Sequence, residues 1–111
     1  MITNAKDELL KAKGTKVIIC ASIKIGCPYG ISEQVEVNLR IGHTLEEWAA
    51  FLIELNVEYN SGYGGQELYG NVWFKDGTWL ERGEYDGSEW WEHKVCPKIP
   101  VELGGDENEQ G

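Results

Sequence analysis

Two Asp-Gly pairs, Asp76-Gly77 and Asp86-Gly87, stand ten residues apart between runs rich in aromatic residues. Asp-Gly is the preferred centre of a two-residue type I′ hairpin turn, because both central residues need a positive φ and this pair tolerates it well. Two such turns in succession predict a three-stranded antiparallel meander over 67–75, 78–85 and 88–96, ended by Pro97 and Pro100. With two-residue loops the partners follow. Phe74 faces Trp79, Trp73 faces Leu80 and Gly70 faces Gly83. In the second hairpin Glu84 faces Glu89, Gly83 faces Trp90, Arg82 faces Trp91 and Glu81 faces Glu92.

These pairs have physical consequences. Trp90 covers strand glycine, a stabilising device, and Arg82 can stack on Trp91 for about 0.5–1 kcal/mol. The two Glu-Glu pairs place like charges across the ladder, which is destabilising unless Arg82, Lys94 or a basic partner compensates. A three-residue loop with a G1 bulge would shift a register by one and abolish its pairings. Adjacent strand residues point to opposite faces, so Trp90 and Trp91 belong to different surfaces.

The rest of the chain reads as two helices and two strands. Asn4 caps a short helix over 4–12, with Asp7 and Glu8 at its positive end and Gly14 as its stop. A strand over 16–25 places Val17, Ile19, Ala21, Ile23 and Ile25 on the core face. A second over 32–41 does the same with Val35, Val37, Leu39 and Ile41. Thr44-Leu45-Glu46-Glu47 is a capping box for a helix over 45–56. Its apolar face is Leu45, Trp48, Ala49, Leu52 and Leu55, widened by Phe51 and Ile53. Residues 58–66 read as a connector whose Tyr59 and Tyr63 fold onto the surface, rather than as a loop offering them as contacts. The expected fold class is α+β, in the order helix-β-β-helix-β-β-β, with helix 45–56 packed on the sheet. Residues 1–101 make one domain and 102–111 a disordered acidic tail.

Charge narrows the function classes. The chain of 111 residues has a net charge of −9. Residues 1–66 hold eight acids against six bases, and residues 67–111 eleven against four. This excludes direct capture of a nucleic-acid backbone or an anionic membrane and favours a basic protein partner for the meander. No run reaches the length of a membrane span, and the polar, acidic start is unlike a signal peptide. Cys20, Cys27 and Cys96 are therefore expected as reduced, buried thiols in a cytoplasmic protein. They do not form a zinc site with His93, because Cys20 and Cys27 are seven residues apart and His93 and Cys96 point to opposite strand faces. His43 reads as a residue leading into the helix. No phosphate-cradling loop, nucleophile elbow or metalloprotease helix occurs, so neither an enzymatic activity nor a cofactor or metal is expected.

The segment Trp73-Phe74-Lys75-Asp76-Gly77-Thr78-Trp79-Leu80-Glu81-Arg82-Gly83-Glu84-Tyr85-Asp86-Gly87-Ser88-Glu89-Trp90-Trp91, with Cys96-Pro97-Lys98-Ile99-Pro100 after it, resembles a recurrent segment in small uncharacterised proteins of tailed bacteriophages and prophages. The resemblance covers about a quarter of the chain and implies a phage origin and the bacterial host cytoplasm. It brings no catalytic or binding residue with it. The expected function is thus a non-enzymatic acidic binding protein, a phage accessory factor inhibiting a host nucleic-acid-binding or defence protein. The expected partner-binding residues are Trp79, Glu81, Arg82, Glu84, Glu89, Trp91 and Glu92. The alternative is a structural protein that self-associates as a homodimer through the edge of the third meander strand.

Overall fold

A computed structural model describes residues 2–26, 34–60, 66–86, 88–97 and 100–104. In chain order the elements are β1 (Ile2–Asn4), α1 (Ala5–Lys13), β2 (Ile18–Ile25), β3 (Val35–Leu39), α2 (Leu45–Leu55), β4 (Glu58–Asn60), β5 (Leu68–Phe74), β6 (Trp79–Tyr85) and β7 (Ser88–Lys94). A 3-10 turn, Val101–Leu103, follows. The fold is α+β. An antiparallel five-stranded sheet has the order β3-β2-β5-β6-β7, and β1 pairs with β4 in a separate two-stranded ribbon. Cys27 and Tyr63, and most of the acidic tail, lie outside the described residues.

Local chemistry explains the helix ends. Asn4 Oδ1 accepts from the Asp7 amide at 3.0 Å, and Gly14 closes α1 by donating to the Leu10 carbonyl. At α2, Thr44 Oγ1 accepts from the Glu47 amide at 3.1 Å while the Glu47 carboxylate reaches back to the Thr44 amide. Arg40 adds a two-pronged bond to Glu47, both contacts at 2.7 Å. That guanidinium holds Glu47 well below the ordinary carboxylate range, at about 2, despite some desolvation. A carboxyl depressed in the folded state stabilises fully above its ordinary value near 4.5 and loses that contribution as pH falls toward 2. Urea denaturation at stepped pH should therefore show an acid-side slope that Glu47→Gln reduces.

The core lies between the helices and one face of the sheet. Leu9, Phe51, Leu55 and Tyr59 pack there with Ile18, Ala21, Ile23, Ile25, Val37, Leu39, Leu68, Val72, Phe74, Leu80 and Trp91. Three expectations about that face need correction. A bulge between Ile18 and Cys20 inserts one residue into β2, so Ile18 points inward and Val17 is left exposed. Strand β3 stops at Leu39, and Val35 and Ile41 are exposed at its two ends. The buried arc of α2 runs through Trp48, Phe51, Leu52 and Leu55, which leaves Ile53 and Ala49 in solvent and Leu45 87% exposed.

The meander forms, with one register as expected and one displaced. Strands β6 and β7 pair Arg82 with Trp91, Gly83 with Trp90, Glu84 with Glu89 and Glu81 with Glu92. Between β5 and β6, however, Trp73 faces Trp79 and Val72 faces Leu80. The cause is a three-residue loop. Phe74 donates its amide to the Thr78 carbonyl and accepts from the Gly77 amide, with Gly77 at φ +87°. Asp76 Oδ1 accepts from the Thr78 amide at 2.9 Å, which holds the wider turn. Gly70 thus lies outside the β5–β6 pairs and faces Ile23 of β2, whereas Gly83 is covered by the Trp90 indole.

Candidate functional site

The registers divide the seven expected site residues between two surfaces. Arg82, Glu84, Glu89 and Trp91 share the helix-covered face; Trp79, Glu81 and Glu92 share the other. Of the first group, Arg82, Glu89 and Trp91 are removed from the accessible surface. Glu84 stays exposed near the end of β6.

The buried group forms a charged knot. Arg82 and Glu89 side chains are 1% and 0% exposed and meet at 2.9 Å. Glu89 also accepts from the amides of Glu67 and Leu68, at 2.9 and 3.1 Å, where β5 begins. On the other side of the guanidinium, Glu8 of α1 lies 3.1 Å from Nη1. Tyr59 of β4 accepts from Arg82 Nη2 and donates to Glu8. The guanidinium also stands over the Trp91 ring, 5.1 Å from its centroid. Burial alone would lower the Arg82 pKa, but Glu8, Tyr59 and Glu89 reverse that and raise it. Burial pushes the Tyr59 phenol well above its usual range, with Glu8 adding to the effect, so its hydroxyl keeps its proton.

This arrangement relieves the Glu84–Glu89 conflict, because Arg82 and two backbone amides take up the Glu89 charge. It also corrects the reading of residues 58–66: Tyr59 is a buried strand residue linking α1 to the meander. The one sequence signal for the knot was alternation. Once Leu80 points inward, Arg82 must do so too.

The opposite face of the sheet carries no packed helix among the described residues. Rows across it can be followed by register. One holds Cys20, Trp73, Trp79 and Lys94; the next holds Asn38, Ser22, Asn71, Glu81 and Glu92. Trp73 and Trp90 are 39% and 40% exposed, large areas for indoles, and Trp79 is half-buried between its neighbours. Lys94 lies 3.7 Å from Glu92 and moderates the Glu81–Glu92 pair. Sequence reasoning named Trp79, Glu81 and Glu92 but missed Trp73 as their companion, because the expected two-residue turn pairs Trp73 with Leu80, whereas the observed register pairs it with Trp79.

No three His, Cys, Asp or Glu side chains converge into a metal-binding group among the described residues. Cys20 and Cys96 are free thiols, and Cys96 is exposed rather than buried. Among the described residues no helix is long and apolar enough to cross a membrane. Compared with models of known families, with curated proteins and with solved structures, the chain gives no match.

Proposed function

We propose that this chain is a non-enzymatic binding protein that takes cationic side chains of a protein partner on the helix-free face of its sheet. The observation that carries this reading is the cross-strand pair Trp73–Trp79 beside Glu81, on a face where Trp73 is left open to solvent. Trp79 and Glu81 are two residues apart on one strand and project on the same side. An arginine laid over an indole could therefore meet a carboxylate in the next row. Each indole–guanidinium contact contributes about 0.5–2 kcal/mol, depending on how far water is excluded.

The narrower idea, a phage factor inhibiting a host nucleic-acid-binding or defence protein, rested on a dense negative field over the meander. That field is partly neutralised within the fold. Glu89 is consumed by Arg82, Asp76 pairs with Lys16 at 3.3 Å, and Glu92 pairs with Lys94. A basic partner suits the local tryptophan-and-glutamate chemistry rather than the net charge. A hexa-arginine peptide titrated at low salt should shift the indole N–H signals of Trp73 and Trp79 in NMR spectra. Trp79→Ala and Glu81→Lys should each weaken that binding by about three- to ten-fold while leaving the fold intact. Shifts confined to other surfaces, or unchanged affinity in both variants, would remove this face from consideration.

A second reading is self-association. Among the described residues strand β7 has a bonded neighbour on one side only, so its other edge could pair with a second copy. Light scattering over a range of concentrations separates the two readings: a dimer grows with concentration, whereas a monomeric binder keeps its mass.

A further inference from the structure

We propose that the cleft between the start of β2 and the first turn of α2 binds a small planar anion: a flat apolar body carrying one carboxylate or sulfonate. The cleft is about 350 Å³ in volume, within the range of small-molecule sites. Buried Ile18 contributes apolar lining. One flat wall is the Trp48 indole with the His43 ring stacked on it, centroids 6.1 Å apart and planes 26° from parallel. Val17 and Leu45, both exposed, add further apolar lining. A flat ligand would cover apolar groups that the fold otherwise leaves to water.

The charge of the ligand follows from Lys13. Its ammonium donates to the carbonyls of Gly14 and Lys16, at 3.1 and 3.3 Å, and has no carboxylate within ion-pair distance among the described residues. An ammonium has three donors, so one remains for a ligand. Lys16 contributes less, because Thr78 and Asp76 already hold its ammonium. The start of α2 does not supply the anion site either: Thr44 occupies the Glu47 amide, and Glu46 and Glu47 already balance the positive helix end. Lys13 therefore fixes the anionic group, and the Trp48–His43 wall fixes the plane of the body.

The probe is 2-naphthoate, compared with its neutral analogue 2-naphthamide, followed by amide and indole shifts in NMR spectra. Saturable shifts are expected at 13–18 and 43–48, with the amide analogue bound at least about three- to five-fold more weakly. Lys13→Gln should bring the two affinities together without changing the amide's own binding. Leu45→Glu, a change at an exposed position, should weaken naphthoate more than naphthamide. Three results would overturn the proposal: no saturation up to about 5 mM, equal affinity for the acid and the amide in the unaltered protein, or shifts centred on Trp73, Trp79 and Trp90. The cleft and the open sheet face are lined by different residues, so failure at one leaves the other standing.

Discussion

Replacing Arg82 with Met should lower the unfolding free energy by about 3–5 kcal/mol, measured by urea denaturation near neutral pH. A domain of this size has about 5–15 kcal/mol in total, so the variant should be close to unfolding at physiological temperature. Lost packing is not the main reason, since Met keeps most of the aliphatic stem. Arg82 lies between two carboxylates from distant parts of the chain, Glu8 and Glu89, and its side chain is almost fully buried. Without it Glu89 stays buried, held by two backbone amides but deprived of its counter-ion. Glu8 and Tyr59 also lose the group that ties α1 and β4 to the meander.

A second variant separates charge from shape. Adding Glu89→Gln to Arg82→Met removes the uncompensated charge while keeping an oxygen for the Glu67 and Leu68 amides. The double variant should recover about half of the loss, because replacing a buried ion pair with neutral groups is commonly far less harmful than removing one partner. If both variants lose the same amount, the guanidinium acts through packing on Trp91 and Tyr59 instead. Charge reversal at Glu89 would abolish partner capture by unfolding the protein, whereas Glu81→Lys tests an exposed position.

Much of the fold could be read from the residues because its determinants are local. Asn4, the Thr44–Glu47 box and the Tyr85–Ser88 pairing beside Asp86 each depend on a few positions, and each formed as expected, while Gly87 itself lies outside the described residues. The β5–β6 hairpin departed because Asp-Gly does not alone set loop length. Thr78 follows the pair and bonds to Asp76 through both its amide and its hydroxyl, which widens the turn and displaces the register by one residue. The β1–β4 ribbon gave no pattern, since three-residue strands are too short to show alternation. The charged knot was hidden for another reason: Glu8, Tyr59, Arg82 and Glu89 come from four elements, and only long-range folding brings them together. Of the candidate surface, Trp79, Glu81 and Glu92 were legible, while Trp73 needed the true register.

Gly70→Ala should cost about 3 kcal/mol or more in the same urea measurement, a larger effect than alanine at any turn glycine of the chain. Gly70 sits at φ +145°, a conformation side chains rarely adopt, and it lies opposite Ile23 in the central β2–β5 pair. A Cβ there would fall 2.2 Å from the Ser22 carbonyl oxygen and 2.9 Å from the Ile23 Cα. Both are backbone atoms, so relief requires moving β2 and β5 apart, and these two strands carry Ile23, Val72 and Leu68 into the core. Gly83 is the internal control. A Cβ at Gly83 would meet the Trp90 indole at 2.8 Å, but that is a partly exposed side chain able to swing away. Gly83→Ala should therefore cost about 1 kcal/mol, with a change in Trp90 fluorescence. Equal costs at the two positions would mean that β2 and β5 can separate as easily as one indole can turn, and that the centre of the sheet is looser than its registers imply.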